Sequence, residues 1–218
     1  MLPFVVAIDG PAASGKGTLA RRIAQHFNLA HLDTGKLYRA TAFLVLAADG
    51  DPGDQATAER AARRVDPAML DDPRLLSEAV AQAASVVAAI PAVRRALLQF
   101  QREFAAHPPG GRRGAVLDGR DIGTAVCPDA AVKLFVTASR EVRADRRLRE
   151  LRQRGVAAIY QNVLQDMGER DARDEGRRAA PLAAASGAVI IDTTGLDADQ
   201  AFERALEVVA RALAAHGP

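Results

Sequence analysis

The sequence predicts an α/β protein built on a five-stranded parallel sheet with helices on both faces. Short apolar runs alternate with longer segments of helical periodicity, the pattern of successive strand–helix–strand units. The strand runs are continuously apolar, as strands buried on both faces require. A chain of 218 residues, 49% hydrophobic and 26% charged, is long enough to bury such a core, so we treat residues 1–218 as a single domain.

The strands are predicted at residues 4–8, in a short run ending at 33, and at 115–118, 132–136 and 189–192. Helices are predicted at residues 18–27, over most of 36–106, and at 140–154, 157–169 and 199–215. Right-handed crossovers place the carboxyl ends of all five strands at one edge, where such sheets bind ligands. Four strands end in a carboxylate: Asp9, Asp33, Asp118 and Asp192. They predict a polar cleft, although Asp is also a common turn former at strand exits.

Composition argues against several function classes. No apolar stretch approaches the roughly 20 residues that span a bilayer, and the N-terminus lacks the basic region of a signal peptide. Cys127 is the only cysteine in the sequence, so no internal disulfide can form, and the scattered histidines do not indicate a zinc site. The net charge is +2, with basic residues spread among acids and no Trp. We therefore expect a cytoplasmic protein with neither nucleic acid nor membrane as a partner.

A glycine-rich segment directly follows the first strand and opens the first helix. It contains the Gly-x-x-x-x-Gly-Lys pattern of a P-loop. Successive backbone N–H groups of such a loop wrap a phosphate, and the helix N-terminus adds a positive dipole. We predict that the whole segment binds the phosphates of a nucleotide, through Gly10, Pro11, Ala12, Ala13, Ser14, Gly15, Lys16, Gly17 and Thr18.

The residue after the lysine departs from the strict motif. Ser or Thr is expected there, whereas Gly17 intervenes and Thr18 carries the hydroxyl. This Gly-Lys-Gly-Thr form resembles nucleoside monophosphate kinases, in which magnesium contacts the protein largely through water. We predict that Lys16 follows the β- and γ-phosphates as a point charge. Thr18 is the predicted Mg²⁺ residue, with Asp118 acting through water; a turn-forming Asp118 is the alternative.

The sequence narrows the class of P-loop protein. None of the three lysines lies in the Asn/Thr-Lys-x-Asp segment that reads guanine, and the chain is short for a motor or transport ATPase. The remaining classes of P-loop protein are a small kinase and a regulator that binds nucleotide without turnover. A kinase brings two polyanions together, and the planar fork of arginine suits phosphate. Arginines follow the second and third strands and cluster near residue 170, where a solvated helix end is the alternative explanation.

Several segments together resemble cytidylate kinases of the bacterial type, over nearly the whole chain. The Asp-Gly-Arg-Asp-Ile-Gly-Thr sequence at 118–124 separates this family from adenylate and thymidylate kinases. The other matching segments are the glycine-rich segment 10–18 (the phosphate cradle), 32–39, 83–94, 169–177, 180–182 and 191–194. The resemblance implies a P-loop NTPase three-layer fold and an enzyme that uses ATP and Mg²⁺ to phosphorylate CMP and dCMP.

The resemblance also implies which residues form the site. Ser85, Arg94 and Asp121 are implied for the cytosine edge, since a carboxylate accepts from the 4-amino group, where uracil presents a carbonyl. The acceptor phosphate is assigned to Arg39, Arg120 and Arg177, and the ribose to Arg170 and Asp174. Thr34 stands where the family often has Ser and keeps the hydroxyl. The implied catalytic cations are Lys16, Arg120, Arg173 and Arg177.

The same resemblance divides the chain into a core (1–33, 107–154 and 181–218), a CMP-binding subdomain (about 34–106) and a lid (about 155–180). Residues 65–85 are too few for the β-rich insert that many bacterial members carry, so we expect an abridged, helical CMP-binding subdomain. We expect a monomer whose lid arginines, in the open enzyme, are solvated and pair loosely with Glu169, Asp171 and Glu175.

Two other functions stay open at this point. Another small-metabolite kinase would share the phosphate cradle but ignore CMP. A non-catalytic ATP-binding regulator would bind ATP and release no ADP with any acceptor.

Overall fold

The structure is a computed structural model that describes residues 3–177 and 180–216. One sheet contains five parallel strands: β1 (Phe4–Asp9), β2 (Ala30–Asp33), β3 (Gly114–Gly119), β4 (Val132–Thr137) and β5 (Val189–Asp192). Their spatial order is β2-β3-β1-β4-β5. Strand β1 is central, and the chain runs from it first to one side and later to the other. The carboxyl end of β1 is therefore the switch point at which such sheets bind ligands.

Within the described residues, eight α-helices connect and cover these strands. They are α1 (Lys16–His26), α2 (Thr34–Leu46), α3 (Gln55–Ala62), α4 (Glu78–Val87), α5 (Pro91–Ala106), α6 (Arg140–Gln153), α7 (Tyr160–Glu175) and α8 (Ala198–His216). Short 3₁₀ turns lie at Pro67–Asp71, Pro73–Leu76 and Pro109–Gly111, and a π-helical turn spans Ile122–Val126. The five predicted strands and the helical regions between them are confirmed.

Two apolar layers enclose the sheet, as the three-layer prediction requires. On one face, α1 and α8 pack Ile23 and Val209 against strand residues such as Ile8. On the other face, α2 to α5 cover β1 to β3, with Leu37 and Leu117 in the same buried cluster. A smaller cluster joins α6 and α7 to the segment after β1. The sheet edge that carries the strand ends therefore stays available for a site.

Residues 34–106, all of which the structure describes, form α2 to α5 and two 3₁₀ turns and contain no strand. The prediction of an abridged, helical segment in place of a β-rich insert is confirmed. Pro67 and Pro73 begin the two turns, and Asp66 and Asp72 cap them by accepting the N–H groups of Ala68 and Arg74.

Helix α7 is longer than the sequence predicted. We expected a helix from residue 157 to 169, whereas α7 runs from Tyr160 to Glu175 and ends before Gly176. Its last turns carry the buried carboxylates Asp171 and Asp174, which pair with arginines of other segments. Because those pairs are tertiary, the local sequence shows only a run of charges there. Arg178 and Ala179 of the predicted lid lie outside the described residues.

Among residues 3–177 and 180–216, no single helix has the length and apolar character needed to cross a membrane. Only the pair Glu78–Val87 and Pro91–Gly111, bent by 99°, reaches that length and composition when its two parts are counted together.

Candidate active site

The glycine-rich segment forms a cradle between β1 and α1. A Cβ atom on Gly10 would collide with the carbonyl oxygen of Val136 on β4, so only glycine lets the chain pass there. Gly15 precedes the first residue of α1 and has a φ of 92°, in the left-handed region that favours glycine. The cradle therefore opens directly onto the N-terminus of α1, where backbone N–H groups favour an anion.

Side chains hold the cradle backbone in place. Its carbonyl oxygens accept hydrogen bonds from Lys16 Nζ to Pro11 (3.1 Å), from Arg143 Nη1 to Ala12 (3.3 Å) and from Thr193 Oγ1 to Ser14 (3.0 Å). Arg146 adds a longer bond to Ser14 and binds Thr193 twice. These bonds fix the loop before any phosphate enters, which is the preorganisation that phosphate binding requires.

Charge and hydrogen bonding at the cradle fit an incoming phosphate. Burial and, to a lesser extent, Arg120 lower the pKa of Lys16 to about 7, against the opposing effect of Asp118 and Asp33. The buried hydroxyl of Ser14 has no hydrogen-bond partner within the described residues. Nucleotide phosphates would restore the charge of Lys16 and offer acceptors to Ser14.

Asp118 lies beside the first turn of α1. Its Oδ2 is 3.6 Å from where a Cβ atom of Gly17 would lie, and its Oδ1 is 2.8 Å from His31 Nε2. Thr18 is exposed, and its hydroxyl accepts a long hydrogen bond from Arg21. The described residues contain no cluster of three or more acidic, His or Cys side chains that would hold a metal by themselves. This sparse set fits Mg²⁺, which keeps several waters and binds phosphates with one or two protein ligands.

A cavity of about 580 Å³ extends from the outer side of the cradle. It lies between α1, α6 and the segment after β5, and its polar lining includes Thr18, Arg146, Arg149, Thr193 and Asp197. The volume is in the range of pockets that hold a nucleoside.

A second pocket lies on the inner side, between the strand ends, α2, α4 and α7. It contains every residue that the sequence assigned to substrate: Thr34, Arg39, Ser85, Arg94, Arg120, Asp121, Arg170, Asp174 and Arg177. Its free volume is only about 60 Å³, well below the few hundred that a nucleotide needs. A nucleotide would fit here only if the walls of this pocket separated.

One end of this pocket is built around Asp121. Arg94 Nη2 donates to Asp121 Oδ2, and Arg94 Nη1 donates to the carbonyl oxygen of Ala88 (3.2 Å). The Arg94 guanidinium also lies 5.5 Å from the centre of the Tyr38 ring. Both partners of the Arg94–Asp121 pair are nearly buried, so the carboxylate has a fixed direction.

The other end of the pocket gathers arginines around Asp174. Arg120 Nε donates to Asp174 Oδ2 (2.7 Å), and Arg177 donates to Oδ1. Burial acts to raise the pKa of Asp174, but the two guanidiniums outweigh it and hold the pKa below its usual range. Burial, with repulsion from Arg120, lowers the pKa of Arg170 to about 9. Within the described residues, Nε of Arg170 and Nε of Arg177 have no hydrogen-bond partner.

The loose pairing expected for the lid arginines is not what the structure shows. Asp171 is taken by Arg143, which donates to both of its carboxylate oxygens (3.0 and 2.6 Å). Arg173 lies outside the pocket lining and donates to Ser85 Oγ (3.0 Å), while Arg177 is buried against Asp174. Arg173 is thus tied to α4 through a hydroxyl, and the buried charge of Arg177 is matched by the carboxylate of Asp174.

The sequence did not reveal the roles of Arg143 and Arg146. Both lie on α6, whose nine charged side chains gave no reason to single these two out. Arg143 is buried and contacts the cradle, and Arg146 joins the cradle to Thr193. Their spacing of three residues, which puts both on the helix face toward the cradle, was the one signal present.

A phosphate cradle after the central strand of a parallel sheet, beside a pocket lined by arginines, defines a P-loop kinase of small phosphorylated substrates. Residues 6–211 match the family model described as cytidylate kinase. The chain belongs to the cytidylate kinase family.

Known relatives match the sequence of this chain over almost their whole length. A protein named cytidylate kinase from Rhodospirillum rubrum is 59% identical over 207 residues, covering 95% of this chain and 97% of that protein. One of the same name from Paramagnetospirillum magneticum is 60% identical over 205 residues, covering 94% and 97%. A crystal structure of an uncharacterized protein from Eubacterium ventriosum has a TM-score of 0.52 at 12% identity, over 95% of this chain and 98% of that one. This last likeness concerns the fold alone.

Proposed function

We propose that this chain transfers the γ-phosphoryl group of ATP to CMP and dCMP, giving CDP and dCDP. Membership in the cytidylate kinase family supports the reaction class. The observation that carries the proposal is the inner pocket, in which a fixed Asp121 at one end faces a group of arginines at the other, beside the phosphate cradle.

The donor would bind through the cradle. Residues 10–18 would wrap its phosphates with backbone N–H groups, and Lys16 would follow the β- and γ-phosphates. Mg²⁺, when bound, neutralises charge between these phosphates. Thr18 and Asp118 would hold it, with water between Asp118 and the metal. The cavity lined by Arg149 and Asp197 would take the nucleoside of ATP.

The acceptor would bind in the inner pocket. Asp121 would accept a hydrogen bond from the cytosine 4-amino group while keeping that from Arg94, since a carboxylate has lone pairs for both. The hydroxyl of Ser85, which accepts from Arg173, still has its proton to donate to the base. We assign the acceptor phosphate to Arg39, Arg120 and Arg177, and the ribose to Arg170 and Asp174.

The transfer needs no general base, because the acceptor phosphate is already ionised at neutral pH. Positioning and charge stabilisation supply most of the rate in phosphoryl transfer. Lys16, Arg120, Arg173 and Arg177 would carry that stabilisation, and Arg173 would act from α7 when the walls close on both substrates. In this proposal, residues 34–106 and 155–180 are the parts that move relative to the remaining core.

An ADP-release assay tests the proposed function, with Mg·ATP and each ribo- and deoxynucleoside monophosphate in turn. We expect turnover with CMP and dCMP well above that with UMP, AMP or GMP. Release with a different acceptor would favour another small-metabolite kinase, and ATP binding without release would favour a regulator. We also propose that the protein is a monomer and is located in the cytoplasm. Gel filtration tests the monomeric state.

A further inference from the structure

Asp9 is a buried carboxylate that the proposed chemistry does not use. It ends β1, immediately before Gly10 of the cradle, and is only 3% exposed. It belongs to the set of strand-end carboxylates, of which Asp118 alone has been given a role so far.

Both oxygens of Asp9 accept hydrogen bonds from one short segment far along the chain. Ile122 N donates to Oδ1 and Gly123 N to Oδ2, each at 2.8 Å. These N–H groups begin the π-helical turn that directly follows Asp121. Asp121 in turn accepts backbone hydrogen bonds from Ala125 and Val126 within that turn. The direction of the Asp121 backbone is therefore set by the turn, and the turn is held by Asp9.

The ionised form of Asp9 is costly to the fold. Burial and, to a lesser extent, the nearby charge of Asp121 raise the pKa of Asp9 to about 6, against the effect of the two backbone hydrogen bonds. A neutral side chain of similar shape would avoid this cost, yet asparagine could accept only one of the two hydrogen bonds. Two acceptors at this position are needed to hold the turn in one orientation.

We propose that Asp9 is a positioning residue for base selection, which orients Asp121 through the Ile122–Gly123 peptide and so joins the phosphate cradle to the end of the acceptor pocket that reads the base. The proposal rests on the proposed function, because it presumes that Asp121 contacts the base of a nucleoside monophosphate.

The test measures kcat and KM for CMP, UMP and ATP in wild type and in Asp9→Asn. Loss of one buried hydrogen bond corresponds to about a five- to hundredfold change in an equilibrium constant. We expect KM for CMP to rise and the CMP to UMP ratio of kcat/KM to fall by about that factor. KM for ATP should change less than about threefold, because the cradle keeps its own side-chain contacts.

Asp54→Asn is the matched control, because Asp54 also accepts a backbone N–H at 2.8 Å but caps the exposed start of α3. It should keep the wild-type ratio. If Asp9→Asn does not fold, Gly123→Ala replaces it, since a Cβ there would lie 3.4 Å from Asp9 Oδ2 and 3.1 Å from the Ala185 Cβ, so that the turn or its neighbours must shift slightly.

An unchanged CMP to UMP ratio in the folded variant would overturn the proposal, as would an equal loss for CMP, UMP and ATP. Both outcomes differ from failure of the proposed function, in which wild type itself would release no ADP with CMP.

Discussion

At the scale of single residues, burial sets the charge of the cradle lysine. The folded protein lowers the pKa of Lys16 from its usual value to about 7, chiefly by removing water. The unfolded chain therefore binds more protons than the folded one between about pH 7 and 10.5. The contribution of Lys16 to the free energy of unfolding rises over that window and falls as the pH drops toward 7. A phosphate ligand reverses this effect, because it favours the ammonium form.

This linkage predicts that ATP binding takes up about one proton at pH 8. Calorimetric titration in two buffers with different ionisation enthalpies measures the uptake, and the phosphates of ATP are themselves fully ionised at this pH. Lys16→Met should bind more weakly and without uptake. Lys36→Met removes a surface lysine paired with Asp71 and should keep it. Equal uptake in wild type and Lys16→Met would assign the proton to another group.

Replacement of Asp121 separates base reading from nucleotide binding in general. Asp121→Ala removes the proposed acceptor for the cytosine amine and should lower the CMP to UMP ratio of kcat/KM about ten- to hundredfold, the worth of one polar base contact. ATP affinity, measured by calorimetry, should change little. Asp129→Ala, a change in an exposed loop, serves as the control. A wild-type ratio in Asp121→Ala would mean that another group reads the base.

At the scale of elements, predictability follows how local the cause of each structure is. The strands could be predicted because continuously apolar runs such as residues 4–8 are typical of strands buried in a parallel sheet. The cradle could be predicted because its glycines are required by the local backbone conformation. The end of α7 could not be predicted, because its last turns depend on pairs that Asp171 and Asp174 form with an arginine of α6 and an arginine just after β3. The pocket residues could be named only through a motif resemblance, since the arginine spacings alone also fit a solvated helix.

The buried pair between α6 and α7 predicts a strong stability effect. Arg143 and Asp171 have side chains only 6% and 7% exposed, so Asp171→Ala would leave a buried guanidinium without its carboxylate. We expect a loss of about 3–5 kcal/mol in the free energy of unfolding. Urea unfolding followed by circular dichroism measures it. Glu169→Ala removes an exposed carboxylate of the same helix and should cost less than about 0.5 kcal/mol. Similar losses in the two variants would mean that the pair does not anchor α7.

At the scale of the whole molecule, a few contacts tie the wall formed by α4 to the wall formed by α6 and α7. Arg147 pairs with Glu78, Arg154 donates to the carbonyl oxygen of Leu76 (3.1 Å), and Arg173 donates to Ser85. The inner pocket is too small for a nucleotide while these contacts hold. If the acceptor binds in this pocket, as we propose, these contacts must break before it enters, and they bias the free protein toward the closed arrangement.

Weakening one of these ties should act on substrate binding more than on stability. Glu78→Gln removes the charge that pairs with Arg147, and a partly exposed pair contributes at most about 1 kcal/mol. We expect KM for CMP to fall by up to about fivefold, because the closed arrangement that excludes the substrate is weakened, with a nearly unchanged melting temperature. Glu59→Gln breaks an ion pair inside α3 that bridges no wall and should leave KM unchanged. Equal KM values in wild type and both variants would mean that the Glu78–Arg147 pair does not control the opening of the pocket.

The carboxylate of Asp174 serves Arg120 and Arg177 as a built-in counter-ion. The arginines therefore need not gather chloride or phosphate from solution to offset their mutual repulsion, and the site can fold in the absence of substrate. If these arginines bind the acceptor phosphate, as we propose, binding exchanges one anion for another within the protein, and few dissolved ions are released. An open arginine cleft would lose affinity steeply with added salt, because its bound ions return to solution. In this molecule the affinity for CMP should fall only shallowly between low and physiological salt.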